Sequence, residues 1–472
     1  MNQEKKAPVE EAIYDARKLG TPKMLVLGVQ HLFAMFGATV LVPILTGLSV
    51  SATLLFAGLA TLFMHLITGR KVPVFLGSSF AFLGGYFGVV ASGAELGLGQ
   101  VEALPYACVG VACAGLLYLI LALICKAVGS KNVMRFFPPV VTGPIIIAIG
   151  LILAPSAINN CSSNWLIALV AIVVVIVCNI WGKGMLKIVP ILMGVLVSYI
   201  AAVIFLPEVR ANVAQSVAQA KWIGLPVNFE RDTVFGLFAS GNVNTGLLIS
   251  SIIMIVPIAF ATMMEHVGDI SAISGTIGRN LIEDPGLHRT LIGDGIGTTI
   301  AALFGAPANT TYGENTGVLV LTKVYDPKVV RIAAYFAVAL SFCPKFAALI
   351  SAMPAATIGG VSIILYGMIS AVGVRNMVEN HTDFQKSRNV IVAAVILGLA
   401  LGVNFSGLLG ADITTAGNNA AGAISFMIGD MKIALSGLAI ASIVGIILNA
   451  ILPGKRDEYM PNEENSGSLG KF

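Results

Sequence analysis

Charge is what this sequence has least of. Asp, Glu, Lys and Arg make up 11% of its 472 residues, against about 25% in a soluble domain. So little polar surface cannot cover a chain of this length in water. The basic residues lie scattered between apolar runs and the net charge is only +4, which excludes the clustered basic face of a nucleic-acid-binding protein. Six cysteines (Cys108, Cys113, Cys125, Cys161, Cys178, Cys343) show no metal-ligand spacing. Most fall in apolar runs, where thiols act as small core residues; Cys161 is expected to be the one loop thiol, with no disulfide framework. There is no P-loop, no nucleotide-binding cassette motif and no His/Glu metal cluster. "GSSFAFLGG" neither follows a soluble strand nor has triad partners, so it is no nucleophile elbow. The polar N-terminus lacks the apolar stretch of a signal peptide. An ATP-driven pump and a membrane enzyme therefore find no support, and no cofactor or metal is expected. A channel would need a continuous polar pore, and none is visible.

What the chain has in abundance is hydrocarbon. Hydrophobic residues are 57% of the total, and they recur in runs near the ~20 residues that cross a bilayer. Fourteen spans are predicted, at 24–46, 52–69, 72–91, 102–125, 138–154, 164–182, 187–206, 246–270, 287–305, 308–322, 329–351, 354–373, 389–405 and 433–452. An even count puts both termini on one side. All but five (Arg210, Lys221, Arg231, Lys345, Lys432) of the 28 basic residues fall on that same side. The positive-inside rule then makes it the cytoplasmic side of a cell inner, or plasma, membrane.

Two spans are wrong for ordinary helices. The third contains "VPVFLGSSFAFLGG" and the tenth contains "PANTTYGENTGVLVLTK". One is third of the first seven, the other third of the second seven. Paired interrupted segments in corresponding halves point to an inverted repeat with a site at the bilayer midplane. Irregular backbone at that depth must be buried in protein or face a cavity. The fold class expected is an all-α polytopic membrane protein of two inverted seven-segment repeats. The longest connections are 207–245 and 406–432, both on the outer side; no role is assigned to the second.

Polar residues inside spans mark a substrate or ion path, because hydrocarbon penalises them by several kcal/mol. Glu265 and Asp269 are four apart and share one helix face. Asp269 could equally be a solvated flank near the cytoplasmic end of its span. Glu314 sits where a break frees backbone N–H groups, and a short helix from about Asn315 would aim its positive end into the site; the alternative is a carboxylate that only caps that helix. Asp294 is either a relay carboxylate or an interfacial residue. Gln30, His31, His266 and Asn315 read as structural polar groups. Phe80, at the "GSSF" break, and Tyr312 and Tyr366 are candidate cavity walls. Glu265, Asp269, Asp294 and Glu314 are the candidates for proton or cation coupling. Buried carboxylates accept N–H donors and freed amides donate to carbonyls, so a flat lactam such as uracil would satisfy both, with aromatic rings on its faces. Small amides or cations would fit the same groups.

The tenth span also carries a family pattern: Gln or Glu, then Asn-x-Gly, four residues, Thr and a basic residue. Here it is "ENTGVLVLTK", Glu314 to Lys323. With "GSSFAF", "EHVG", "DPGLHR" and "NTTYGEN", and from "QHLFAMFGATVLVP" to "ILYGMI", the chain resembles the nucleobase–ascorbate transporter family of nucleobase:cation symporters. Opening the signature with Glu is similar to its uracil-transporting members; xanthine or urate carriers, the alternative, usually open it with Gln. The resemblance implies uracil import by symport of H⁺, or alternatively Na⁺, through alternating access, and commonly a homodimer. It implies a core domain of 24–137 and 246–352, a gate domain of 138–245 and 353–452, and cytoplasmic tails 1–23 and 453–472. It further implies short antiparallel strands in spans three and ten. Glu265 and Glu314 would hold the uracil ring, the N–H groups of Phe80 and Gly313 would meet its carbonyls, and Tyr312 and Tyr366 would line the pocket. Where similar uracil permeases have a histidine linked to coupling, four residues after Glu265, this chain has Asp269.

Overall fold

The computed structural model describes residues 12–406, 423–428 and 431–453. In chain order these form α1 (Thr21–Thr46), α2 (Val50–Ile67), β1 (Leu76–Ser78), α3 (Leu83–Glu95), α4 (Gln100–Val128), α5 (Ser130–Met134), α6 (Pro139–Ser162), α7 (Trp165–Ile180), α8 (Met185–Ile188), α9 (Pro190–Phe205), α10 (Pro207–Gln219) and α11 (Val234–Ala239). Next along the chain are α12 (Thr245–Ile255), α13 (Ala259–Ile277), α14 (Leu287–Leu303), β2 (Asn309–Thr311), α15 (Gly313–Thr322), α16 (Pro327–Ser341), α17 (Pro344–Ser351), α18 (Ala355–Glu379) and α19 (Ser387–Phe405). The last elements are β3 (Ala423–Ile428), β4 (Met431–Ser436) and α20 (Gly437–Ile451). The expected connection 406–432 lies largely outside the described residues; β3 and β4 pair antiparallel, with Ala423 opposite Ser436.

Among the described residues, seven helices are long and apolar enough to cross a membrane, or up to nine if each bent pair is one span. Several helix starts are set by side chains that take the first free N–H groups. Ser49 accepts from Ala52 N, Asn164 from Ile167 N and Asn244 from Leu247 N. Their packing relies on small residues. A Cβ on Gly115 of α4 would meet Gly295 O of α14 at 2.7 Å, and a Cβ on Gly295 would meet Gly115 O at 2.7 Å. Gly143 of α6 and Gly373 of α18 oppose each other in the same way, at 3.1 and 2.6 Å. Without a hydrophobic drive between helices in lipid, such backbone approach supplies much of the attraction.

Several sequence boundaries need correction. Span eleven turns through 89° between α16 and α17, whereas the 108° turn between α9 and α10 falls where span seven was expected to end. Pro207 and Pro344 open the second helix of each pair. A proline ring breaks the preceding helix but suits the first turn of the next, and hydropathy cannot register the bend. Span eight runs through α12, a 3-10 turn and α13 to Ile277 rather than ending at 270. Small polar residues lower the hydropathy there without breaking the helix. Cys161 is not a loop thiol; it lies in the last turn of α6 and is fully buried. The expected tail 1–23 is folded from Ile13 onward, and Asp15 caps a 3-10 turn at Ala16–Leu19.

Candidate functional site

The two interrupted segments meet. β1 and β2 pair antiparallel, Leu76 opposite Thr311, Gly77 opposite Thr310 and Ser78 opposite Asn309. Ser79 N donates to Ala308 O at 2.8 Å and Tyr312 N to Phe75 O at 3.1 Å, extending the ladder at each end. Both strands are fully enclosed, and two strands alone leave edges that must be satisfied. Threonines do this. Leu76 N donates to Thr61 Oγ1 of α2 at 2.9 Å, and Asn309 N to Thr298 Oγ1 of α14 at 3.1 Å. Ser78 Oγ donates to Thr39 O at 2.7 Å and Tyr312 Oη to Ser78 O at 2.8 Å. Gly77 is needed for contact: a Cβ there would strike the Tyr312 ring and lie 2.7 Å from Thr39 Oγ1.

Each strand is followed by a helix. α3 starts at Leu83, with Phe80 and Ala81 in the turn before it, whereas α15 starts at Gly313, two residues earlier than expected. Glu314 therefore lies in the first turn of α15, where a helix end favours negative charge. Among the described residues, no acceptor takes the N–H of Phe80 or of Gly313.

These groups and α13 enclose a cavity of about 200 Å³. Phe80, Glu265, Asp269, Tyr312, Gly313 and Glu314 line it. Glu265 and Glu314 thus face one space rather than the acyl chains. Asp269 is no solvated flank, because α13 continues two turns beyond it; Thr311 Oγ1 donates to its Oδ2 at 2.6 Å. No lysine or arginine is among the described lining residues. The polar side of the cavity is made of carboxylates that accept and backbone amides that donate. Its opposite side is aliphatic, with Ile146 and Ile149 from α6 and Leu365, Met368, Ile369 and Val372 from α18.

The remaining sequence candidates divide. Tyr366 does not line the cavity; it is buried behind Phe80, whose ring it meets edge-on at 5.8 Å between centroids. Asp294 is fully buried, which removes the interfacial reading, and its Oδ2 lies 2.9 Å from His266 Nδ1. That pair lies outside the cavity lining. Asn315 Nδ2 donates to His31 O at 3.0 Å and lies 3.1 Å from His31 Nδ1, tying α15 to α1. Gln30 is half-buried and also outside the lining. Sequence reasoning missed Ala81, Thr310, Thr311 and the aliphatic wall. Thr311 was findable, since it lies within "NTTYGEN", one of the motifs that carry the family resemblance. The wall was not, because an aliphatic residue inside a span carries no mark of what it faces.

A family model described as "Permease family" matches residues 22–408. A protein named uracil permease from Bacillus caldolyticus is 40% identical over 440 residues, covering 91% of this chain and 92% of that one. The uracil permease of Bacillus subtilis is 38% identical, covering 92% and 94%. A putative pyrimidine permease of Escherichia coli is 35% identical, covering 93% and 91%. Among solved structures, the transmembrane domain of the cyanobacterial bicarbonate transporter BicA superposes with a TM-score of 0.55 at 14% identity, covering 93% of this chain and 99% of that one. SLC26A9 gives 0.57 at 12% identity, covering 84% and 66%. At such identities the likeness is one of fold. The relatives are named permeases, not enzymes, and the apolar helices make this an integral membrane protein. The chain belongs to the permease family of nucleobase–ascorbate transporters.

Proposed function

We propose that this protein is a uracil transporter that couples import of the base to a co-transported cation, H⁺ in the first instance. The observation that carries the reading is the convergence of Glu265 and Glu314 on one cavity beside the unpaired N–H groups of Phe80 and Gly313. Two carboxylates match the ring N–H donors of uracil, and two amides match its carbonyls. Neither set alone distinguishes uracil from a simple amide or cation; together they offer both kinds of partner that the ring requires. At about 200 Å³ the space is below the ~300–1,000 Å³ of pockets for drug-sized ligands, and suits a single ring. Relatives named for uracil or pyrimidine transport support the same choice.

Fourteen crossings in two inverted repeats account for the architecture. Each of the fourteen sequence segments holds a helix or half-helix, and packing partners recur when the first seven are exchanged for the last seven. Thus α4 packs on α14 as α2 packs on α16, and α7 on α9 as α19 on α20. Thr61 serves β1 as Thr298 serves β2. The core and gate division follows the cavity, whose polar groups come from one proposed domain and whose aliphatic wall comes from the other. Rocking of that wall against the carboxylates would expose the site to each side of an inner membrane in turn. Both termini are assigned to the cytoplasm from the charge pattern, and assembly as a homodimer is part of the same reading.

Uptake of labelled uracil into proteoliposomes, with imposed pH or Na⁺ gradients and competing bases, tests the proposal. Accumulation driven by an inward proton gradient is expected. Equal uptake without any gradient, or preference for xanthine or urate, would refute it.

A further inference from the structure

The residues ahead of α1 reach the two helices that bear the cavity carboxylates, at the ends remote from them. Ile13 bridges the chain just beyond α15: its N–H donates to Lys323 O and its carbonyl accepts from Tyr325 N, each at 2.8 Å. Tyr14 Oη donates at 2.8 Å to the carbonyl of Ile277, the last residue of α13. A carbonyl in a helix's final turn has no partner within the helix, so this bond caps α13. The Tyr14 ring packs on Tyr325, 5.5 Å between centroids, and the Arg279 guanidinium sits 4.4 Å over it. Ala16, fully buried, donates its N–H to Asp326 Oδ2 at 2.8 Å.

The lever arms are short. At 1.5 Å per residue, Glu265 lies about 18 Å from Ile277 and Glu314 about 12 Å from Thr322. α15 has only ten residues, of which Asn315, Val318 and Leu319 are buried. A helix that short gains little stability from itself, so its ends must fix its place. Asn315 pins the near end to α1 through His31. The Ile13 bridge pins the far end, immediately after the left-handed Lys323 (φ 51°).

We propose that Ile13–Leu19 is a strap that ties α13 to α15 and so sets the spacing of Glu265 and Glu314, with Tyr14 as its positioning residue. The proposal rests on the reading of those two carboxylates as the acceptors of the substrate. The strap makes two separate helices carry their acceptors as one unit.

The full-length protein in proteoliposomes, with labelled uracil as the probe, provides the test. Tyr14→Ala should raise KM about tenfold while kcat stays within about twofold, the signature of lost ground-state contacts. Tyr14→Phe keeps the ring contacts with Tyr325 and Arg279 and should raise KM no more than about threefold. Placing Ile13→Cys and Val324→Cys in the Tyr14→Ala background should restore the native KM on oxidation and lose it again on reduction. Amide hydrogen exchange of Gly313–Thr322 should quicken in Tyr14→Ala and leave α6 and α18 unchanged. A native KM for Tyr14→Ala, or parallel loss of KM and kcat that the cysteine pair does not rescue, overturns the strap. Should the unaltered protein take up no uracil, the substrate reading fails, while unchanged exchange in Gly313–Thr322 would independently defeat the strap.

Discussion

The two interrupted segments use one backbone device and divide the chemistry between them. β1 and β2 are each three residues long, each is tied by a threonine from the preceding helix, and each is followed by a helix. Beyond the strands they diverge. After β1 come Ser79, Phe80 and Ala81, so that arm offers an amide and an aromatic face without charge. After β2 the helix begins almost at once, and Glu314 adds a carboxylate to the amide of Gly313. They differ also at the crossing, where Gly77 lets the Tyr312 ring approach while its partner Thr310 faces the cavity. A duplicated scaffold can thus become an asymmetric site through a few side chains.

Altering the charged arm should have the largest effect. Glu314→Gln removes a charge-assisted acceptor worth about 1.5–3 kcal/mol, and uracil affinity should fall roughly tenfold to hundredfold, measured by calorimetry on purified protein. Glu265→Gln should do the same or uncouple uptake from the proton gradient. Native affinity in both variants would remove the carboxylates from the site. Next comes the crossing itself. Gly77→Ala forces a methyl group against Tyr312, and overpacking of this kind costs about 1–3 kcal/mol; Thr310→Ala, at the paired position, should cost less. A smaller loss of thermal stability for Gly77→Ala than for Thr310→Ala would invert the comparison. Asp269→Asn should flatten the decline of uptake with rising pH while changing affinity little, and an unaltered profile would exclude it from coupling. The smallest effect is expected at Asp15, outside the membrane, where hydrogen bonds from Arg17 hold the carboxyl at about 2. A group depressed in this way loses its contribution only as pH falls through that value, so Asp15→Asn should leave the profile between about pH 5 and 8 unchanged.

Much of this was legible in the sequence because hydrocarbon makes polarity expensive. Glu265, Asp269, Asp294 and Glu314 stood out against apolar runs, and the Gly- and Ser-rich breaks at Ser78–Ser79 and Gly313 located the crossing. Burial was harder to read than position. Asp269 read equally as a flank or a site carboxylate because Ser271–Ile277 is polar, yet the helix continues through that stretch. Tyr366 has the residue type of a pocket wall, but a neighbouring ring stands between it and the cavity. Pro344 was visible inside its span, but whether a proline kinks a span or starts a new helix depends on what packs against it. The aliphatic wall had no sequence signal, because in a membrane helix an isoleucine suits lipid, protein and cavity alike.

The glycine contacts between α4 and α14 and between α6 and α18 leave their backbones touching. At these points each pair packs backbone on backbone, with no side chain between. The face that α6 and α18 turn toward the cavity is aliphatic, with Ile146, Ile149, Met368 and Ile369. One closely packed helix pair thus supplies the whole aliphatic side of the cavity.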